Sequence, residues 1–157
     1  GSEMCIRDRL HIDPDKIGVS GTSAGGHLAA SVGTLSPQRP SFMILFYPVI
    51  SADTDKRHRG SFEQLLGKKH CDTPQSQELS LEKKVDVQTP PTLLFHCDDD
   101  KVVPAVNSVL FYKQLKTYGI KSSLHIYPSG GHGWGMSSCF RYYDDWQKSV
   151  LDWLSTL

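Results

Sequence analysis

A serine sits between small residues in Gly21-Thr22-Ser23-Ala24-Gly25-Gly26-His27, which fits the pattern G-x-S-x-G. In that pattern a strand turns sharply into a helix and holds the serine hydroxyl out for attack on a substrate. A side chain at Gly21 or Gly25 is expected to collide with the backbone crossing beside it. The Ala24 N–H, with Gly25 behind it at the opening of a helix, faces the same way as the hydroxyl. Unpaired first-turn amides and the positive end of the helix dipole can stabilise an oxyanion there. Ser23 needs a base, and the base needs a carboxylate to fix its tautomer. Of seven histidines, His132 in Ser129-Gly130-Gly131-His132-Gly133-Trp134-Gly135 suits the role best, because it follows an apolar strand and its glycines let the loop reach over the serine. Asp100, four residues after His96 at the end of another strand, is the expected orienter. Asp98 and Asp99 are its rivals, and one of the three is expected to cap the turn through Asx hydrogen bonds. The chemistry these three residues could do is acyl transfer through a covalent serine ester.

The pentapeptide alone is weak, since average glycine and serine usage yields it in roughly one chain in twenty of this length. Its setting carries the argument. Lys16 to Ser20 reads as a short strand ending near the motif, and Leu28, Val32 and Leu35 recur at the spacing of a buried helical face. The remaining candidates have plainer readings. His27 falls in the first helical turn as a packing or hydrogen-bonding residue, His96 lies inside a strand, and Cys97 is a small buried group. Trp134 has two readings: stacking on a sugar or aryl group of a substrate, or wedging the histidine loop.

The elements that must position these residues alternate. Phe42 to Tyr47 is a continuous apolar run, as expected of a strand covered on both faces, and Thr92 to Cys97 is another strand of the buried type. Ser123 to Tyr127 is a further strand. Leu110, Phe111, Leu115 and Tyr118 share one side of a helix that Gly119 ends. Tyr143, Trp146, Val150, Trp153, Leu154 and Leu157 share one side of a last helix over 144–157. Ser51 to Gln88 is a polar excursion with short helices. Strands alternating with helices predict an α/β fold with a mainly parallel sheet and flanking helices, with Ser23, Asp100 and His132 in loops at one sheet edge.

A chain of 157 residues is long enough for one domain with a real core. Seventeen basic and seventeen acidic residues cancel, which argues against an electrostatic nucleic-acid or membrane partner and suits a small neutral or sugar-like substrate. The four cysteines have neither metal-ligand nor disulfide-scaffold spacing, and no metal or organic cofactor is implied. Gly1 to Arg9 (GSEMCIRDR) has no periodicity and is expected to be a non-native leader resembling translated adapter read-through, with residues 10–157 forming the domain.

GTSAGGHLAA, FYPVI, HRGS at His58 to Ser61, HCDDDKVVP and HIYPSGGHGWG resemble the C-terminal half of α/β-hydrolase carbohydrate esterases, the acetyl-xylan and feruloyl/acetyl esterase group. The likeness runs from about Asp13 to Leu154. It implies Ser23 as nucleophile, Asp100 as acid and His132 as base, in the chain order of that fold, acting on acetyl or feruloyl esters of plant-type polysaccharides. It also suggests a secreted or periplasmic protein. Two departures stand out. Members of the group carry further strands and an H-G-G-G type loop, the source of the second oxyanion N–H, before the serine motif; nothing before Leu10 resembles these. Cys97 stands where relatives often have glycine. Two other readings share the motifs: a serine peptidase of the prolyl-oligopeptidase type, whose motifs more often carry an aromatic where Ala24 stands, and a catalytically silent partial hydrolase.

Overall fold

The computed structural model describes residues 11–53 and 55–157; the leader expected over residues 1–9 lies outside them. Four strands, β1 (Val19–Thr22), β2 (Met43–Phe46), β3 (Thr92–Cys97) and β4 (Ser122–Tyr127), form one parallel sheet in the order β1-β2-β3-β4. Register pairs Gly21 with Leu45, Leu45 with Leu94 and Leu94 with Leu124. Among the described residues five α-helices accompany them: α1 (Ser23–Leu35), α2 (Arg59–Leu66), α3 (Pro74–Gln77), α4 (Val106–Thr117) and α5 (Tyr143–Leu154).

The continuous apolar runs have a direct physical reason. On one face of the sheet Met43, Leu45 and Leu94 pack with Ala29 and Ala30 of α1 and Phe111 and Leu115 of α4. On the other, Ile44, Phe46, Leu93 and Phe95 pack with Trp146 and Trp153 of α5. Successive side chains point to opposite faces, so a strand covered on both is largely apolar, and the polar Thr92 and His96 of β3 are buried with hydrogen-bond partners.

Several sequence expectations are corrected. The first strand begins at Val19, because Pro14–Lys16 forms a single 3-10 turn capped by the Asp13 carboxylate. The buried residues of α1 are Gly26, His27, Ala29, Ala30, Gly33 and Thr34. Leu28 and Leu35 are exposed instead, at 68% and 48%. Small residues face the sheet because the helix lies too close for large ones: a Cβ on Gly33 would sit 2.2 Å from the Met43 sulfur. Tyr118 and Leu157 are likewise exposed at the ends of their elements. Gly119, at φ 69°, supplies the left-handed residue that ends α4.

Candidate active site

The loops after β1, β3 and β4 all leave the same edge of the sheet, the carboxyl ends of its parallel strands, where such folds gather their chemistry. Ser23 is the residue at which β1 becomes α1, and its φ of 53° is a sparsely populated conformation for a side-chain-bearing residue, the kind of strain that a sharp turn at a working site stores. Gly21 makes the turn possible, since a Cβ there would lie 2.2 Å from the Gly25 carbonyl oxygen. The expected second collision is at a different residue: Gly25 has open space around it, whereas a Cβ on Gly26 would meet Pro48 at 2.7 Å. Thr22 makes no side-chain cap bond to α1, so the first-turn Ala24 and Gly25 amides have no acceptor within the helix.

Ser23, His132 and Asp100, separated by up to 109 residues, are joined by two hydrogen bonds. Ser23 Oγ lies 2.8 Å from His132 Nε2, and His132 Nδ1 lies 2.6 Å from Asp100 Oδ2. A carboxylate can only accept, so Nδ1 carries the proton and Nε2 is left to accept from the serine hydroxyl. The other Asp100 oxygen accepts from the Val102 and Val103 N–H groups, each at 2.9 Å. That side chain is fully buried, and its lone pairs are used by donors that hold it in one orientation. The arrangement can transfer a proton from the hydroxyl to the imidazole while the carboxylate keeps the ring in place.

His96 forms a layer beneath the carboxylate. It is fully buried, with Nε2 2.9 Å from the Val103 carbonyl and 3.3 Å from Asp100 Oδ2. Both neighbours of Nε2 are acceptors, so that nitrogen bears the hydrogen and Nδ1 accepts from the Ser108 hydroxyl at 2.8 Å. Burial pushes its pKa below the ordinary imidazole value. His96 is therefore more than strand filling, a role that the sequence does not advertise because its partners lie 7 and 12 residues away.

Behind His132 the Tyr47 ring packs edge-on at a centroid distance of 4.7 Å, and the Tyr47 hydroxyl accepts from the Gly135 N–H at 2.9 Å. Trp134 is 6% exposed and stacks on Phe140 at 4.1 Å, beside Phe46 and Trp146. Of its two expected roles this geometry matches the wedge, and little of its ring is left for a substrate to stack on. His27 packs as expected, with Nε2 at 3.0 Å from the Leu79 carbonyl and its ring edge-on to Phe62. Cys97 is buried, and burial pushes its thiol up to about 11, which leaves it a poor nucleophile.

Two hollows flank the serine turn. A mostly apolar groove of about 700 Å³ runs between α1 and α2, lined by Ala24, Leu28, Leu35, Phe62 and Leu65. A smaller one of about 420 Å³ adjoins His132, lined by Gly133, Ser137, Phe140 and Arg141. Among the described residues no cluster of three or more His, Cys, Asp or Glu has metal-binding geometry. No described helix is long and apolar enough to cross a membrane.

Residues 1–157 match the prolyl oligopeptidase family. The chain is 39% identical over 152 residues to an acetylxylan esterase of Xylanibacter ruminicola, covering 94% of this chain and 32% of that protein. It is 34% identical over 141 residues to endo-1,4-beta-xylanase B of Butyrivibrio fibrisolvens, covering 80% of this chain and 21% of that one. Among solved structures, an acetyl ester-xyloside bifunctional hydrolase from Caldicellulosiruptor lactoaceticus superposes with a TM-score of 0.86 at 41% identity, over 94% of this chain and 59% of that one. The chain thus spans about a third or less of the length of the curated relatives it matches.

Proposed function

The chain belongs to the prolyl oligopeptidase family of α/β-hydrolases, and from that premise we propose that it carries the acyl-transfer centre of a serine carboxylesterase acting on acetyl esters of xylan-type polysaccharides. The observation that carries the reading is the unbroken line of hydrogen bonds from Ser23 Oγ through His132 to Asp100. Ser23 Oγ attacks the acetyl carbonyl carbon while His132 Nε2 takes the hydroxyl proton, and Asp100 stabilises the imidazolium that results. The oxyanion of the tetrahedral intermediate accepts from the Ala24 N–H. Collapse breaks the bond to the sugar oxygen, which leaves with the proton from His132. Water then attacks the acetyl-serine while His132 Nε2 takes its proton; collapse breaks the bond from Ser23 Oγ to the acyl carbon, His132 returns the proton to Oγ, and acetate leaves.

The substrate class rests on the named activities of the acetylxylan esterase and the acetyl ester-xyloside hydrolase. A second reading, hydrolysis of a prolyl peptide bond, is favoured by the name of the family; the residue after the serine, Ala24, favours the ester. A direct competition separates them. Purified chain is offered an acetylated xylo-oligosaccharide, a feruloylated one and a proline-containing peptide amide at equal concentration. Release of acetate well ahead of ferulate and of amine is the expected result, and preferential amide cleavage would overturn it.

A further inference from the structure

The turn Asp98-Asp99-Asp100 brings two consecutive carboxylates to the histidine loop, and they hold different parts of it. Asp100 holds the imidazole. Asp99 Oδ1 accepts from the Gly131 N–H at 2.8 Å and Asp99 Oδ2 from the Gly130 N–H at 3.2 Å. We propose that Asp99 is a positioning residue for His132, fixing the backbone just before the imidazole so that Nε2 meets Ser23; the proposal rests on the reading of His132 as the base.

The loop needs such a fixing point. Gly130, Gly131, Gly133 and Gly135 all have positive φ, and glycine gains no help from a side chain in holding one conformation. Two side chains tie this backbone to the rest of the fold on either side of His132. Tyr47 holds it at Gly135, and Asp99 holds it at Gly130 and Gly131. The turn bearing Asp99 is itself anchored, because the Asp98 N–H donates to the Tyr127 carbonyl at 2.8 Å and the Asp100 N–H to the Cys97 carbonyl at 3.2 Å. Acid and loop anchor are therefore neighbours on one fixed piece of backbone, and a shift of the turn moves both together. Two converging N–H donors suit a carboxylate better than an amide, which offers one oxygen. The same two bonds, that from Gly131 foremost, hold the Asp99 carboxyl below its ordinary pKa.

The test compares the parent chain with Asp99→Ala and Asp99→Asn by two readouts. The first is the downfield proton resonance of His132 Nδ1–H in its short bond to Asp100, identified by its loss in Asp100→Asn. The second is kcat and KM on an activated acetyl ester, with Ser23→Ala as background. In Asp99→Ala the Nδ1–H proton is expected to exchange with water fast enough to broaden its signal. Its kcat is expected to fall by about 10- to 100-fold, the scale of a displaced catalytic group, with KM within about twofold of the parent. Asp99→Asn, which keeps one acceptor, falls between the two, and it decides the question if the alanine variant does not fold. An Asp99→Ala chain with the parent's proton signal, or with its kcat within about twofold of the parent, overturns the proposal. A parent without Ser23-dependent turnover sinks the esterase reading instead, and the proton signal still decides the role of Asp99.

Discussion

The two sides of the serine turn are built differently. On the β3–β4 side, the acid and histidine loops rest on a packed aromatic layer in which Trp134, Phe140, Trp146 and Trp153 are each no more than 8% exposed, and the polar groups that face Ser23 are held by named donors. On the α1–α2 side, Leu28, Leu35 and Leu65 are 68%, 48% and 59% exposed along the larger groove. Both sides are apolar in sequence. Only one is covered, so the hydrogen-bonded line from Ser23 to Asp100 draws its rigidity chiefly from the β3–β4 side, with Tyr47 after β2 holding the histidine loop at Gly135.

The strongest way to break this comparison is at the carboxylate. Asp100→Asn should leave the fold intact and lower ester turnover by up to about four orders of magnitude; an unchanged rate in steady-state assays removes Asp100 from the site. Next in size is the aromatic layer. Trp146→Ala should cost about 3–5 kcal/mol in urea unfolding, because Trp146 packs against Phe46 and Tyr143.

Acid titration sharpens the contrast further. His27 and His96 are both held below the ordinary value of 6.5, chiefly by burial, and half-buried His125 is lowered the same way. Unfolded chains take up these protons near pH 6.5 and the folded chain only at lower pH. Stability is therefore full above about pH 6.5 and declines as pH falls below it, by up to about 1.4 kcal/mol per pH unit for each histidine. Glu82, raised by burial above its ordinary 4.5, takes its proton first in the folded state and offsets part of this loss as the pH falls towards that value. The depressed carboxylate of Asp86, brought down to about 2 beside Arg39, adds its loss only below the ordinary aspartate value. Urea midpoints measured between pH 7 and 4.5 should fall steadily, and a flat profile contradicts the burial of these rings. The smallest effect belongs to the open side: Leu28→Ser should change stability by no more than about 0.5 kcal/mol in the same assay.

The sheet was legible in the sequence to the extent that both its faces are covered. Thr92–Cys97 could be read residue for residue because Leu93, Leu94 and Phe95 form an apolar centre buried on both faces. The inner face of α1 was misread for a related reason: periodicity finds large apolar residues, whereas a helix lying against Met43 and Pro48 turns glycine and alanine inward. At the site, the three residues chosen from motif and chain order are the three that the hydrogen bonds join. The parts played by Asp99, His96 and Tyr47 were hidden, because each depends on partners that only the folded chain brings near: amides 31 and 32 residues away for Asp99, and one 88 residues away for Tyr47.

The hydrogen-bonded line from Ser23 to Asp100 should make Ser23 a working nucleophile. The measurement that meets it most directly is hydrolysis of an activated acetyl ester by the folded chain beside a folded Ser23→Ala variant. The parent should show a rate above background that disappears in the variant. Equal rates in the two would contradict it.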